Sequence, residues 1–435
     1  MAPITVVLAT TLVLLLLFYI NVEQVIAEDH KISNRPSNPK IKSNIQIVPQ
    51  TILLDPSILA NVKHAIKNND NNTILQDSLK QLLLQANSFI TKKPTSVVEK
   101  SQLPPSGDKH DYFSLSPYDW PDPSKPNGLP YIGRDGMVNP EVYSIPDKQN
   151  LNDMIFWVRT LSIAYYFTDD PKYASKAAEL LRVWFLNDNT SMNPNLQYAQ
   201  MVPGKKQIFP QGIMDTYGIT DVIDSIRLIQ LSPAWTSQDQ EGMETWLNRY
   251  LDWLLNSEAG KQESKARNNH GTGYNAQVSS IAIFLNKANI AKKIVQTASH
   301  KLIAGQIKKD GRQPLELKRT NAWSYSIFNL ASLFKLASIG QNLGMDLWNY
   351  KSTHGAGLQK ALDYLLSYTD PIKARKWPYQ QVTPFKRTSF AHLLCQAIMH
   401  YPKSSQSYLD AYKSLESPNY ISTNIGNLIY GCLRA

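Results

Sequence analysis

Residues Pro314–Ala337 read PLELKRTNAWSYSIFNLASLFKLA. Trp323, Ile327, Leu330, Phe334 and Ala337 recur at the alternating spacings of one face of an α-helix. At about 100° per residue, Tyr325 falls nearly opposite that stripe, on the side of Phe328 and Ser332. This second side is less apolar and is expected to face a cleft. Helical side chains lean towards the helix N-terminus, which brings the Tyr325 hydroxyl back towards the level of Arg319. A guanidinium beside the phenol favours phenolate and is expected to lower its pKa, as a tyrosine base requires. The plainer reading is a tyrosine hydroxyl satisfied at a helix end.

The same period recurs along the chain. Met154, Val158, Leu161 and Tyr165 share a face, as do Ala174, Ala177, Leu181 and Trp184, which follow a proline, Pro171, suited to a helix first turn. Met243, Trp246, Leu247, Tyr250 and Leu254 repeat it, and further helical stretches are expected over 213–230, 275–306, 357–369, 387–400 and 404–416. No series of alternating strands with hairpin turns is visible. Many helix pairs without heptads predict an all-α fold: an array, a toroid or an irregular bundle. A fixed-length repeat, the mark of common helical solenoids, is missing. The exception to helicity is 101–146, rich in Pro, Gly, Asp and aromatic residues, and a long irregular segment of this kind is usually functional or disordered. Tyr112, Phe113, Tyr118, Trp120 and Tyr131 argue for order.

Composition bounds the function. The chain has 435 residues, 43% hydrophobic and 18% charged, which describes a globular protein with a substantial core. Nineteen glycines are too few for a glycine-punctuated β-solenoid, and two cysteines cannot build a disulfide scaffold or a four-cysteine zinc site. A formal charge of +10 calls for a partner: nucleic acid, anionic membrane or acidic polysaccharide. The bases are dispersed and form no run, against the first two. Residues 4–22 are uncharged and Val25-Ile26-Ala27 offers small-residue cleavage chemistry, so 1–27 is read as a secretory signal, the alternative being an uncleaved anchor. Residues 28–45 read as a flexible leader and 46–435 as one domain. Signal removal takes away Glu23 and no base, which raises the charge to +11. Sequons at Asn71 and Asn189 fit a secreted glycoprotein, and Cys395 and Cys432 either pair or stay as buried thiols.

Three constellations carry candidate chemistry. In DYFSLSPYDWPDPSKPNGLPYIGRDGMVNPE (111–141), Tyr118 and Trp120 offer flat faces for a sugar ring, and Lys125 and Arg134 offer donors for a carboxylate. The alternative is an Ω-like loop whose aromatics staple it to the helices. Arg267-Asn268-Asn269-His270-Gly271-Thr272-Gly273 stands before a helical stretch, where amide and imidazole groups join the free N–H groups of a helix start. Asparagine can donate to a developing oxyanion and histidine can take a proton, although asparagine also caps helices. Arg319 and Tyr325 form the third. No HExxH, GxSxG, P-loop or dinucleotide fingerprint occurs, so no metal or cofactor is expected.

Taken together, SPYDWPDPSKPNGLPYIGRDG (116–136), NNHGTGY (268–274), PLELKRTNAWSYSIFNL (314–330) and NLQYAQMVPGKKQIFPQGIMD (195–215) resemble alginate lyases of the helical-toroid type and relatives acting on other polyuronates. The resemblance implies an incomplete (α/α) toroid of antiparallel helix hairpins, and metal-free cleavage by β-elimination. It places the family's catalytic Asn and His on Asn269 and His270 and its Arg and Tyr on Arg319 and Tyr325. A cleft lid falls on 112–135, and Gln211, Arg267 and Asn268 join Tyr118, Trp120, Lys125 and Arg134 as candidate substrate contacts. Asn269 and Arg319 would neutralise the uronate carboxylate, Tyr325 would act as base and acid, and His270 would serve one C5 epimer or orient the carboxylate. The rivals are a glycoside hydrolase using a pair from Asp119, Asp135, Glu141 and Glu316, and a non-catalytic polysaccharide binder.

Overall fold

The computed structural model describes residues 49–68, 73–415 and 423–433, and Val48–Ala435 form one compact unit. The expected signal, the leader and the Asn71 sequon lie outside the described residues.

The helices start where local chemistry starts them. Helix α1 (Pro56–Lys67) has proline in its first turn and Asp55 as N-cap, and it is followed by α2 (Thr73–Ile90). Neither was expected from the sequence. Helix α3 (Asp147–Thr168) and α4 (Pro171–Leu181) are separated by Asp169 in the left-handed conformation and by the N-cap Asp170. Next come α5 (Ile219–Ile229) and α6 (Ser237–Asn256), the latter opened by a reciprocal capping box between Thr236 and Asp239. Helix α7 (Glu258–Glu263) is short. The expected single stretch over 275–306 is instead α8 (Asn269–Phe284) and α9 (Ala288–Ala298), broken where Asn286 takes φ 57°. Then follow α10 (Ala322–Asn342), α11 (Leu358–Leu366), α12 (Ala391–His400), α13 (Ser405–Leu415) and α14 (Gly426–Ile429).

Packing arranges these helices in a ring. Helix α2 lies on α3, α3 on α5, α5 on α8 and α8 on α10. A 3₁₀ turn (Arg387–Phe390) joins α10 to α12, and the short α14 bridges α12 back to α2. Helix α4 packs outside α3, α6 outside α8, α9 outside α8 and α10, α11 outside α10, and α13 outside α12. The chain is thus an (α/α) toroid, with one sector of its wall made by short pieces instead of a full hairpin. Burial follows the layers. Helices α8 and α10 bury residues all round, as inner helices must, whereas α9, α11 and α13 bury one stripe. The predicted stripe of α10 is buried throughout, from Trp323 to Ala337.

Cys395 in α12 and Cys432 beyond α14 form a disulfide, both fully buried, which ties the closing segment to the ring. The cross-link spans 37 residues, so Cys395→Ser is expected to lower unfolding free energy by ~2–4 kcal/mol in denaturant titrations. An unchanged midpoint would show that the bond does not hold the closing segment.

Among the described residues, four short strands lie where the sequence reads as irregular or as a link between helices. Phe113–Leu115 (β1) pairs in parallel with Tyr198–Met201 (β4), and Asp119–Trp120 (β2) pairs antiparallel with Ile132–Gly133 (β3). A buried carboxylate anchors the base of this loop. Asp215 accepts from Tyr112 Oη (3.1 Å), Ser114 Oγ (2.6 Å) and Gln200 Nε2 (2.8 Å), and pairs with Lys148 Nζ (2.8 Å).

Candidate active site

The three sequence constellations meet at one rim of the toroid. Asn268 is the N-cap of α8, and its Oδ1 accepts from the His270 N–H (3.2 Å), so its side-chain oxygen does the capping work. Asn269, 2% exposed, is held by Glu316: its backbone N–H donates to Oε1 and its Nδ2 to Oε2, each at 2.7 Å. Burial raises the pKa of Glu316, against the two Asn269 hydrogen bonds. His270 is one residue further into the first turn of α8. Its Nδ1 lies 2.7 Å from Oε1 of the buried Glu263 at the end of α7. A carboxylate accepts only, so Nδ1 carries the proton and Nε2 is the nitrogen left for a ligand.

Glu316 also ties this pair to the arginine and tyrosine, since the Arg319 N–H donates to its backbone carbonyl (3.0 Å). The Arg319 guanidinium lies over the Tyr325 ring, 3.7 Å from its centroid, and grips Asp135 with both arms: Nε to Oδ2 at 2.9 Å and Nη2 to Oδ1 at 2.5 Å. Thr320 adds its N–H (3.2 Å) to the same carboxylate. Gly136, at φ 77°, lets the loop come this close, because any side chain there would strike Thr320 and Asn321. The Tyr325 hydroxyl donates to the Tyr118 hydroxyl at 3.0 Å. Tyr118 and Asp135 therefore fasten the irregular loop to the start of α10, and Tyr131 N–H to Pro203 O (3.0 Å) fastens it to the β4 side.

The expected depression of the Tyr325 pKa is overturned. Burial pushes the phenol well above its ordinary value, the Tyr118 hydrogen bond adds to this, and Arg319 opposes it without prevailing. The guanidinium sits over the ring while its charge is spent on Asp135, which explains the weak opposition. Asp135 is correspondingly held down at about 2, chiefly by its hydrogen bonds from Arg319. A carboxyl with a depressed folded pKa stabilises above its unfolded pKa of about 3.9 and loses that contribution as pH falls through the folded value. The melting temperatures of the native protein and Asp135→Asn are therefore expected to differ above pH ~4 and to converge towards pH ~2. A constant gap across that range would show that the Arg319 contact adds nothing to the fold.

The remaining predicted contacts divide. Trp120 is committed to the loop: its Nε1 donates to Met137 O (2.8 Å), and the Arg134 guanidinium lies 5.3 Å from its ring centroid. Both contacts lie within the loop itself. Lys125 and Arg267 are exposed, and Gln211 is half-buried on the 3₁₀ turn Pro210–Thr216. The hydrolase carboxylates are all engaged: Asp119 by Ser116 (2.6 Å), Asp135 by Arg319, Glu141 by Tyr131 (2.7 Å) and Glu316 by Asn269. Sequence reading missed Glu263 as the partner of His270. Its position seven residues earlier, across a helix end, carries no periodic signal.

A ring of helix pairs that gathers an amide, an imidazole, a guanidinium and a phenol under a fastened loop has the architecture of a toroidal polysaccharide lyase. The chain belongs to the alginate lyase family, whose sequence profile matches residues 96–377. An alginate lyase from Bacteroides ovatus is 37% identical, with a TM-score of 0.82 over 88% of this chain and 99% of that one. Alginate lyase A1-III of Sphingomonas species A1, in a variant complexed with a tetrasaccharide, matches in fold at 14% identity and a TM-score of 0.51, over 80% of this chain and 93% of that one. No curated protein sequence gives a match. The protein is a polysaccharide lyase, and its family implies an acidic polysaccharide substrate.

Proposed function

We propose that the protein cleaves alginate or a related polyuronate by β-elimination with Asn269, His270, Arg319 and Tyr325 as its catalytic group. The observation that supports this is the joint placement of the four at the starts of α8 and α10, linked through Glu316 and the Arg319–Tyr325 stack. A uronate C5 proton becomes acidic when charge on the adjacent carboxylate is stabilised, the task of Asn269 and Arg319. For Arg319 this entails exchange of Asp135 for the substrate carboxylate, an anion of the same shape. The base removes the C5 proton, the C5 electron pair forms the C4–C5 double bond, and the C4–O4 bond breaks. O4 leaves with a proton from Tyr325. The raised phenol pKa favours this acid role directly, and the base role requires the phenol first to lose its proton to solvent, relayed by the Tyr118 hydroxyl that accepts its hydrogen bond. For the C5 epimer that presents its proton on the opposite face, His270 Nε2 is the base.

A panel of defined polyuronates followed by ultraviolet absorption tests the reading. Unsaturated uronate is expected from at least one polymer. New reducing ends without ultraviolet absorption would establish hydrolysis instead. Residues 1–27 as a removed signal, a secreted location and glycan at the exposed Asn189 belong to the same reading. Among the described residues no helix is long and apolar enough to cross a membrane. The charge of +10 adds a kinetic expectation, since attraction of a polyanion is screened by salt. kcat/KM on polymer should fall as ionic strength rises, and a flat profile would detach the net charge from substrate capture.

A further inference from the structure

The interior of the toroid holds a cavity of about 650 Å³ that the chemistry above does not use. That volume lies in the range of ligand pockets. One stripe of α10 lines it, running from Ser324, beside Tyr325, through Phe328 and Ala331 to Lys335. The Phe328 ring packs against that of Tyr217, with centroids 4.9 Å apart, so apolar faces stand between the catalytic tyrosine and the deeper charged end.

Arg159 from α3 and Lys335 converge at that end on a single carboxylate, Asp221 of α5, at 3.5 and 3.4 Å. Both separations exceed the ~2.7–2.9 Å of a strong charge-assisted bond, so hydrogen-bonding capacity is left over. Lys335 Nζ also donates to Thr220 Oγ1 at 2.7 Å. Two cations thus share one direct anionic partner, with donor groups to spare. The other acid there, Asp224, is not a partner of either cation. Its oxygens accept from the backbone N–H groups of Ile52, Leu53 and Leu54 (2.6, 2.9 and 2.9 Å), and burial pushes its pKa up to about 6. His392, exposed to solvent, faces the same cavity beside Lys335 and Arg159.

We infer that this cavity is a second carboxylate subsite, in which Arg159 and Lys335 hold a uronate unit of the same polymer chain away from the bond being cleaved. The inference rests on the lyase reading above for the nature of its ligand. Lys335 is ten residues along α10 from Tyr325, about 15 Å along the axis, with the Tyr217 and Phe328 rings as an apolar surface for the sugars between. Such a subsite makes cleavage depend on chain length.

The test is kcat/KM over a series of oligouronates of increasing length, for the native protein, Lys335→Gln and Arg159→Gln. The ratio of the rate on a long oligomer to that on the shortest one cleaved is expected to fall about tenfold in each variant. Equal losses at every length, or no loss, would overturn the subsite. Because Lys335→Gln deprives Asp221 of a partner, Arg159→Gln, which keeps the Lys335–Asp221 pair, is the variant less exposed to misfolding, and thermal melting checks both. Calorimetric binding of a long oligouronate separates this inference from the lyase reading. Affinity reduced about tenfold by Lys335→Gln supports the subsite even where no unsaturated product forms, and unchanged affinity overturns it even where cleavage proceeds. A free monouronate serves as the comparison ligand: if Lys335→Gln weakens it as much as the long oligomer, the site is one for free acids and the polymer subsite falls.

Discussion

Tyr325→Phe should lower formation of unsaturated uronate by roughly 10³-fold while the melting temperature stays close to that of the native protein. The size follows from the ~10²–10⁴-fold that a positioned acid or base contributes. The hydroxyl is the only atom removed, and its hydrogen bond in the structure goes to the Tyr118 hydroxyl. The ring that remains still offers its face to the Arg319 guanidinium, so the stack and the Asp135 grip survive. The measurement is initial rate by ultraviolet absorption on the best polyuronate, with melting followed by circular dichroism. Native-like rates in the phenylalanine variant would remove Tyr325 from the chemistry, and His270 would then have to supply both proton transfers.

Arg319→Ala is expected to cost ~10²–10³-fold in kcat/KM, the scale of removing one donor aimed at developing charge. The structure offers a second job for the same residue, since Arg319 also clamps Asp135 and so holds the loop carrying Tyr118. Asp135→Asn separates the two roles. It weakens the clamp and leaves the guanidinium free for a substrate carboxylate. If neutralisation is what Arg319 contributes, Asp135→Asn keeps most of the native rate while Arg319→Ala does not. Equal losses in the two variants would mean that Arg319 acts by fixing the loop. Arg319→Lys refines the point, because a lysine keeps the charge but not the planar fork that matches a carboxylate.

Much of the architecture was readable from spacing. The stripe Trp323–Ile327–Leu330–Phe334 is buried as the period requires, and Pro171 opens α4 with Asp170 as its cap. Two long helices not predicted, α1 and α2, bury Leu59, Val62 and Ala65 and Leu75, Leu82, Ala86 and Phe89 at helical spacing, so their period too was present in the sequence. The single stretch over 275–306 split at Asn286, because a left-handed residue ends a helix without interrupting hydrophobicity. The irregular segment proved ordered, as its aromatics implied, with Trp120 and Arg134 packed on each other.

For the site, residue types and their neighbourhoods were legible, and so was the resemblance that assigned Asn269, His270, Arg319 and Tyr325. The electrostatics were not. Adjacency of Arg319 to Tyr325 along the chain suggested a depressed phenol pKa, and burial with Tyr118 reversed it. The partners responsible come from far away in the chain: Asp135 is 184 residues from Arg319, and Tyr118 is 207 residues from Tyr325. Helical periodicity is a local property, set by which residues must face a core, and it survives in the order of amino acids. Desolvation and the pairing of charges depend on which distant segments close over a group, and here the ring of helices and the loop fastened across it determined them.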